Sequence, residues 1–484
     1  MPLAREGKNR YNILWMNMFR GVYSEMRASG HYDFSALSGT TAAILGFGRS
    51  GRAATDFLLS HGAAVRVYDG RPVPDGVQAR YSPYGVTFTA GFPAEFTESL
   101  LVRSPGIRPD LAPIRRALAA GSVLTGEVDL FMRYTAVPVI GVTGSDGKTT
   151  TAAMIAALLR AAGKRVISGG NNGTPLLPQL NAPADFAVVE LSSFQLMTAP
   201  APDVAVLTNL TPNHLNWHAD YSEYAAAKCR VFAGAARLVT NVDCPATREI
   251  GRRAPLPVTW FTVESALPFA AKKGDFCLSV SGDTLTIDAE TRRALPAFRD
   301  FALPGRHNRE NFAAAVGAVA ELVGDGAVLD TARDFCGVSH RLQTVATVDG
   351  VAFVDSSIDT SPTRTAAALA ALAEKGAPKP LVIAGGRKKG ISLAPLADAL
   401  ARGAKAAYLY GEAAGEIADL LGDRIPFAVF SPFAEAFSAA ARAAKPGDTV
   451  LLSPGCTAFD QFRDFEERGE VFCRLARALA EERK

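Results

Sequence analysis

Lys148 and Thr149 close the segment Val139-Ile-Gly-Val-Thr-Gly-Ser-Asp-Gly-Lys-Thr-Thr-Thr151, and they are side chains suited to holding a polyphosphate. A lysine in such a loop can reach terminal phosphates, and the following hydroxyl can sit on Mg²⁺. The loop residues Gly144, Ser145, Asp146 and Gly147 offer backbone N–H groups to phosphate oxygens. Thr150 and Thr151 open a helix whose N-terminus adds positive potential. The match is to this mechanism rather than to the full P-loop pattern. That pattern wants a glycine five residues before Gly147, where Val142 stands; Gly144 is only three before.

A second group of polar residues follows further strands. Glu190 ends the apolar run Ala187-Val-Val, about 40 residues after the loop. Ligands of an α/β sheet collect at the carboxyl ends of its strands, and a carboxylate there suits Mg²⁺, which prefers oxygen donors. The alternative is a strand-end acid in a surface pair. His214 and His218 lie four apart in Thr208-Asn-Leu-Thr-Pro-Asn-His-Leu-Asn-Trp-His218, without a third ligand at zinc spacing. We place His214 near the nucleotide's metal and His218 in loop packing. By its spacing alone, Lys228 reads as a solvated helix lysine.

A third constellation lies upstream. Thr41–Leu45 predicts a strand, followed by the turn Gly46-Phe-Gly-Arg-Ser-Gly51, a helix over 52–61, and a strand over 64–68 ending at Asp69. This βαβ unit has Gly46, Gly48 and Gly51 at Gly-x-Gly-x-x-Gly spacing and an acid 18 residues beyond. It would suit a nicotinamide or flavin nucleotide, or any phosphate-bearing nucleotide.

The elements that position these residues alternate strand and helix along the chain. The expected fold is α/β with mostly parallel sheets. We divide the 484 residues into an N-terminal extension of unknown role (1–36), a first α/β domain (37–134), a central P-loop domain (135–337) and a C-terminal α/β domain (338–484). The net charge of +3 makes no demand for nucleic acid. No apolar run approaches a membrane span, and the polar N-terminus lacks a signal-peptide core. Six cysteines without Cys-x-x-Cys spacing read as free thiols, so a cytoplasmic protein is expected. A monomer is expected.

The ordered motifs resemble those of the Mur ligases. They run from the Gly46 loop through Ser104-Pro-Gly106, Gly144 to Thr149, Gly170-Asn-Asn-Gly173, Glu190-Leu-Ser-Ser-Phe-Gln195, Asn213-His214, Leu303-Pro-Gly-Arg-His-Asn308, His340-Arg341, Gly385-Gly386 and Leu452-Ser-Pro-Gly-Cys456. The resemblance covers about residues 37 to 480. It is nearest to the member that joins D-glutamate to UDP-N-acetylmuramoyl-L-alanine, which uses ATP and two Mg²⁺ ions and forms an acyl phosphate during peptidoglycan precursor synthesis. It implies an N-terminal Rossmann-like domain that binds a UDP-sugar instead of a dinucleotide, a central ATPase domain and a Rossmann-like amino-acid-binding domain.

By the same resemblance, the loop from Gly144 to Thr151, Asn311 and Arg341 would hold ATP. Thr149, Glu190, His214 and a carbamylated Lys228 would hold the metals. Gly46, Gly48, Gly51, Asp69, Arg71, Ser104 and Asn171 would hold the UDP-substrate. Lys389, Phe465 and Thr457 would face glutamate. The sequence departs from the family in four places, one of them the block from Ile358 to Arg364, which resembles only some members. Ser356 stands at the usual aspartate position, so Asp355, one residue early, is offered as the replacement. Ala458 stands where a serine is expected in the glutamate pocket, with Thr457 adjacent. Asn172 replaces an isoleucine.

Three other readings compete with this one. A sibling ligase using L-glutamate or another amino acid fits the altered pocket. A redox enzyme using the Gly46 loop leaves Lys148 and Glu190 unexplained. A non-catalytic nucleotide-binding regulator is opposed by Lys148, Glu190, His214, Lys228 and Arg341.

Overall fold

The computed structural model describes residues 37–483 except 215–216, 265–266, 268, 270, 273, 290, 304, 375 and 389–391. The extension over 1–36 and the expected glutamate ligand Lys389 therefore lie outside the described residues. The chain divides into two units, one ending at Phe335 and one beginning at Cys336.

The first unit holds two sheets. In one, Thr41–Leu45 (β1), Ala64–Asp69 (β2), Thr87–Ala90 (β3), Leu100–Arg103 (β4) and Val123–Thr125 (β5) run parallel in the order β3-β2-β1-β4-β5. The chain leaves β1 toward β2 on one side and returns to β4 on the other. The carboxyl end of β1 is thus a switch point, where α/β sheets open a crevice.

The second sheet is built on Val139–Thr143 (β6), Val166–Gly170 (β7), Phe186–Glu190 (β8), Val204–Leu207 (β9), Arg237–Asn241 (β10), Val258–Thr262 (β11) and Phe276–Ser281 (β12). Two antiparallel strands, Thr284–Asp288 (β13) and Arg292–Leu295 (β14), extend it in the order β14-β13-β12-β11-β10-β9-β6-β8-β7. β6 lies between β8 and β9, parallel to both. Both faces of β6 are covered, which is why its sequence is an unbroken apolar run instead of an alternation. Ile140 and Val142 pack against Met154, Ile155, Leu158 and Leu159 of the helix Lys148–Ala161, with Phe312 and Val316 of the helix Arg306–Val319. Val139, Ala187, Val189 and Leu207 belong to a core shared with Ile44, Val65 and Val67 of the first sheet. Each valine, leucine or isoleucine among them contributes about 1.5–3 kcal/mol on burial, so the two sheets are joined by apolar packing.

The second unit holds one sheet of Gln343–Val348 (β15), Val351–Asp355 (β16), Leu381–Gly385 (β17), Ala406–Tyr410 (β18), Phe427–Phe430 (β19) and Thr449–Gly455 (β20). Its order is β15-β16-β20-β17-β18-β19, parallel apart from the β15–β16 hairpin. Among the described residues, no helix is long and apolar enough to cross a membrane.

Candidate active site

Three adjacent strands of the nine-stranded sheet deliver the candidate residues to one edge. The loop after β6 passes between Glu190, at the end of β8, and the segment after β9. Gly147 caps the helix at φ +77°, and a Cβ there would collide with the side-chain amide of Asn311. The glycine therefore lets Asn311 approach, and Thr151 Oγ1 donates to Asn311 Oδ1 at 3.3 Å. Further bonds hold the loop. Asp146 N–H donates to Asn209 Oδ1 (2.9 Å), Thr208 Oγ1 donates to the Asp146 carbonyl (2.7 Å), and Ser145 Oγ lies 2.8 Å from the Tyr224 hydroxyl. Lys148 Nζ donates to the carbonyls of Gly144 (3.0 Å) and Ser145 (2.7 Å), so its charge sits directly over the loop. Thr149 and Thr150 are half-buried in the first helical turn.

Glu190 is 1% exposed. Its Oε1 accepts from Asn171 Nδ2 at 2.7 Å, and the Asn171 N–H donates to the Glu190 carbonyl at 2.9 Å. Its Oε2 is buried and has no hydrogen-bond partner among the described residues. A buried carboxylate oxygen left unpaired is costly, and a hard cation such as Mg²⁺ would satisfy it. The donors at this edge therefore fit the metal that the sequence implied.

Lys228 is the largest departure from the reading by residue spacing. The helix Tyr221–Cys229 does not expose it; the residue is 2% exposed. Its Nζ donates to Thr143 Oγ1 at 3.2 Å and lies 5.0 Å from the centre of the Tyr224 ring. Burial, and then the nearby Lys148 charge, pull its ammonium well below the ordinary lysine range. The shift favours the unprotonated amine, which is the form that reacts with CO₂. His214 stands in the left-handed region (φ +54°), beside Phe194 at 5.1 Å between rings. Partial burial, followed by Lys148 and Lys228, lowers its pKa. His218 is a packing residue, as expected, with Nε2 2.9 Å from Ser193 Oγ.

The UDP-substrate candidates meet at the switch point of the five-stranded sheet. Gly51 is required, because a Cβ there would strike the Gly46 carbonyl oxygen. Gly48 precedes the helix Arg49–Ser60 and accepts from the Arg52 N–H. Ser104 Oγ donates to the Gly46 carbonyl at 3.0 Å. Asp69 accepts the N–H of Phe47 (2.7 Å) within the turn and that of Arg71 (3.0 Å), and the Arg71 side chain is exposed. Arg49 Nη1 donates to the Gly173 carbonyl at 3.4 Å, which draws the Asn171 loop to the same place. Asn171 thus belongs to both groups of residues.

In the second unit, Asp355 ends β16 fully buried. It accepts from His340 Nδ1 (2.6 Å), the Ser357 N–H (2.8 Å) and Cys473 Sγ (3.5 Å). Burial pulls His340 down, but Asp355 outweighs it and the net shift is upward. Arg341 is exposed. Thr457 Oγ1 donates its hydrogen to the Arg387 carbonyl (2.9 Å), while Ala458 beside it is buried. The Phe465 carbonyl accepts from Ser357 Oγ (2.7 Å).

Residue spacing missed Arg468 and Glu127. Arg468 is fully buried, and its guanidinium donates to Ser357 Oγ and O, the Tyr410 hydroxyl and the Cys456 carbonyl at 2.8 to 3.2 Å. It straps together the ends of β16, β18 and β20. Glu127 is buried, and its Oε1 accepts the N–H groups of Leu176 (2.6 Å) and Leu177 (2.7 Å), which anchors the far end of the Asn171 loop. Nothing in the spacing of either residue marks it.

The chain matches the Mur ligase MurD-like N-terminal domain over residues 40–126, the Mur ligase middle domain over 142–319 and the Mur ligase glutamate ligase domain over 340–456. It is 38% identical over 454 residues to the UDP-N-acetylmuramoylalanine–D-glutamate ligase of Pelotomaculum thermopropionicum, covering 90% of this chain and 97% of that one. The ligase of the same name from Nitrosococcus oceani is 35% identical over 448 residues, covering 91% and 97%. In fold, the chain is similar to the UDP-N-acetylmuramate-alanine ligase of Thermotoga maritima, with a TM-score of 0.50, 18% identity, and coverage of 91% and 99%. The chain belongs to the Mur ligase family.

Proposed function

We propose that this chain is an ATP-dependent ligase that joins D-glutamate to UDP-N-acetylmuramoyl-L-alanine in peptidoglycan precursor synthesis. The observation that carries the reading is the meeting of the Lys148 loop, Glu190 and buried Lys228 at one sheet edge, in a chain so similar to ligases of that name. The substrates would divide among 37–134 for the UDP-sugar, 135–337 for ATP and 338–484 for glutamate.

A carboxylate is a poor acyl donor because oxide is a poor leaving group. Transfer of the ATP γ-phosphoryl group to the alanyl carboxylate gives an acyl phosphate. The glutamate amine then attacks the carbonyl, and phosphate leaves. Lys148 would neutralise charge on the transferring phosphoryl group. Asn311 and Arg341 would orient the nucleotide. Thr149, Glu190, His214 and carbamylated Lys228 would hold two magnesium ions. Those ions, when bound, supply charge stabilisation at phosphoryl oxygens. Ser104 and Asn171 would fix the UDP-substrate, so that its carboxylate meets the nucleotide without a costly search.

Lys389 and Phe465 would bind glutamate. A second reading, an L-glutamate ligase, has a specific observation behind it. Ala458 has no hydroxyl, and the Thr457 hydroxyl hydrogen is already donated to Arg387, so the expected substitution by Thr457 is weakened. Lys148→Ala tests the common part of both readings. The variant should fold and release ADP at a rate lower by about 10²-fold or more. Near-normal release would overturn the nucleotide assignment.

A further inference from the structure

Arg108 joins the two sheets of the first unit at the point where their candidate sites adjoin. It follows the turn of Ser104, whose carbonyl accepts the Ile107 N–H at 3.0 Å. Its guanidinium forks onto Asp110, with Nε at 2.9 Å and Nη2 at 2.8 Å. That pair pre-orients the rest of the group. Nη2 also reaches Glu223 Oε1 at 3.3 Å, Nη1 donates to the Trp217 carbonyl, and the cation lies 4.9 Å from the Trp217 ring centre. Trp217 answers by donating its indole N–H to the Gly106 carbonyl at 3.0 Å. The contact is therefore reciprocal between the Ser104–Arg108 turn and the Trp217–Glu223 segment.

What Arg108 grips leads directly to two candidate metal ligands. The N–H groups of Trp217 and His218 both donate to the His214 carbonyl at 3.0 Å. Glu223 Oε2 accepts the Ala219 N–H at 2.6 Å, while the Glu223 N–H donates to Asp220, the cap of the helix that carries Lys228. His218, inside the same segment, anchors to Ser193 just beyond Glu190. Arg108 is partly exposed, so its ion pairs add little to global stability. Its geometry can still matter, because a displacement of about 1 Å at a reacting group costs on the order of 10²-fold in rate.

We infer that Arg108 is a positioning residue, which sets His214 and Lys228 in register with the UDP-substrate turn at Ser104. The inference rests on the ligase reading above. The Arg108 guanidinium is engaged by Asp110, Trp217 and Glu223, and it acts through the last two. A lysine would keep the charge but lose the fork and the stacking.

The test uses the full chain with ATP, Mg²⁺, glutamate and UDP-N-acetylmuramoyl-L-alanine, following ADP release. Arg108→Ala should lower kcat by about 10-fold or more. The KM for ATP should stay within about 2-fold, and the melting temperature should change little. Arg108→Lys should recover only part of kcat. The Arg108→Ala/Glu223→Gln double variant should lose no more than the worse single variant, because both remove one linkage. An unchanged kcat in Arg108→Ala, or losses that multiply in the double variant, would overturn the inference. A loss explained wholly by lowered melting temperature would also overturn it. If the wild-type chain releases no ADP with these substrates, the ligase reading itself fails, a result distinct from any of these.

Discussion

Asn171 donates to one oxygen of Glu190 at 2.7 Å and leaves the other oxygen buried without a hydrogen-bond partner among the described residues. The amide fixes the rotation of the carboxylate, so the unpaired oxygen has a defined direction. Asn171→Ala should therefore weaken the metal site. A partner that orients a ligand is typically worth about 10–100-fold in metal affinity. Titration of ADP release with Mg²⁺ should show a half-saturating concentration raised on that scale. An unchanged Mg²⁺ requirement would mean that Glu190 is held by its strand alone.

Lys228 offers a second prediction. Its ammonium is disfavoured by burial and by Lys148, and its amine contacts Thr143 at the base of the phosphate loop. With ¹³C-bicarbonate, the wild-type chain should show a carbamate carbon signal that Lys228→Ala lacks. The variant should lose about 10²-fold or more in rate, as for other charge-stabilising groups. Short carboxylic acids should restore part of it. Normal kinetics in Lys228→Ala would reduce this lysine to a packing residue.

Glu127 makes a prediction about stability. Burial raises its carboxyl from 4.5 to about 7, against the pull of the Leu177 and Leu176 N–H groups, and Asp129 adds to the rise. The folded chain therefore holds a proton that the unfolded chain releases near pH 4.5. The stabilisation is full below that pH and is lost as pH rises through about 7. The shift corresponds to an energy on the order of 3 kcal/mol. Glu127→Gln cannot ionise, so its melting temperature relative to wild type should rise between pH 5 and pH 8. Parallel curves for the two proteins would contradict the burial argument.

Much of this arrangement was readable from residue order. The expected strand Thr41–Leu45 is β1 itself, and the apolar runs before the phosphate loop and Glu190 are β6 and β8. Such strands are legible because burial on both faces demands continuous apolar residues. The helix expected over 52–61 begins three residues earlier, at Arg49, because the glycine turn itself supplies the cap. β3, with Thr87-Phe-Thr-Ala90 mostly exposed, and three-residue β5 carry too little pattern to be found. The burial of Lys228 is illegible from spacing for a different reason. Its helix stretch, Ala225-Ala-Ala-Lys-Cys229, resembles a surface helix, and apart from Tyr224 the groups around the lysine, Thr143, Lys148 and Glu190, come from distant parts of the chain. Asp355 is an intermediate case: its place at the end of β16 follows from spacing, but its bonds to His340 and Cys473 do not.

A ligase of this kind requires three substrates, and mass analysis of the product alongside ADP release reads that requirement. Purified full-length chain with Mg²⁺, ATP, UDP-N-acetylmuramoyl-L-alanine and D-glutamate should give one ADP for each UDP-muramoyl dipeptide formed. Omission of any substrate should stop both. Turnover with L-glutamate and not with D-glutamate would keep the mechanism and contradict the named amino acid. The absence of dipeptide with either enantiomer, from a folded protein, would contradict the account.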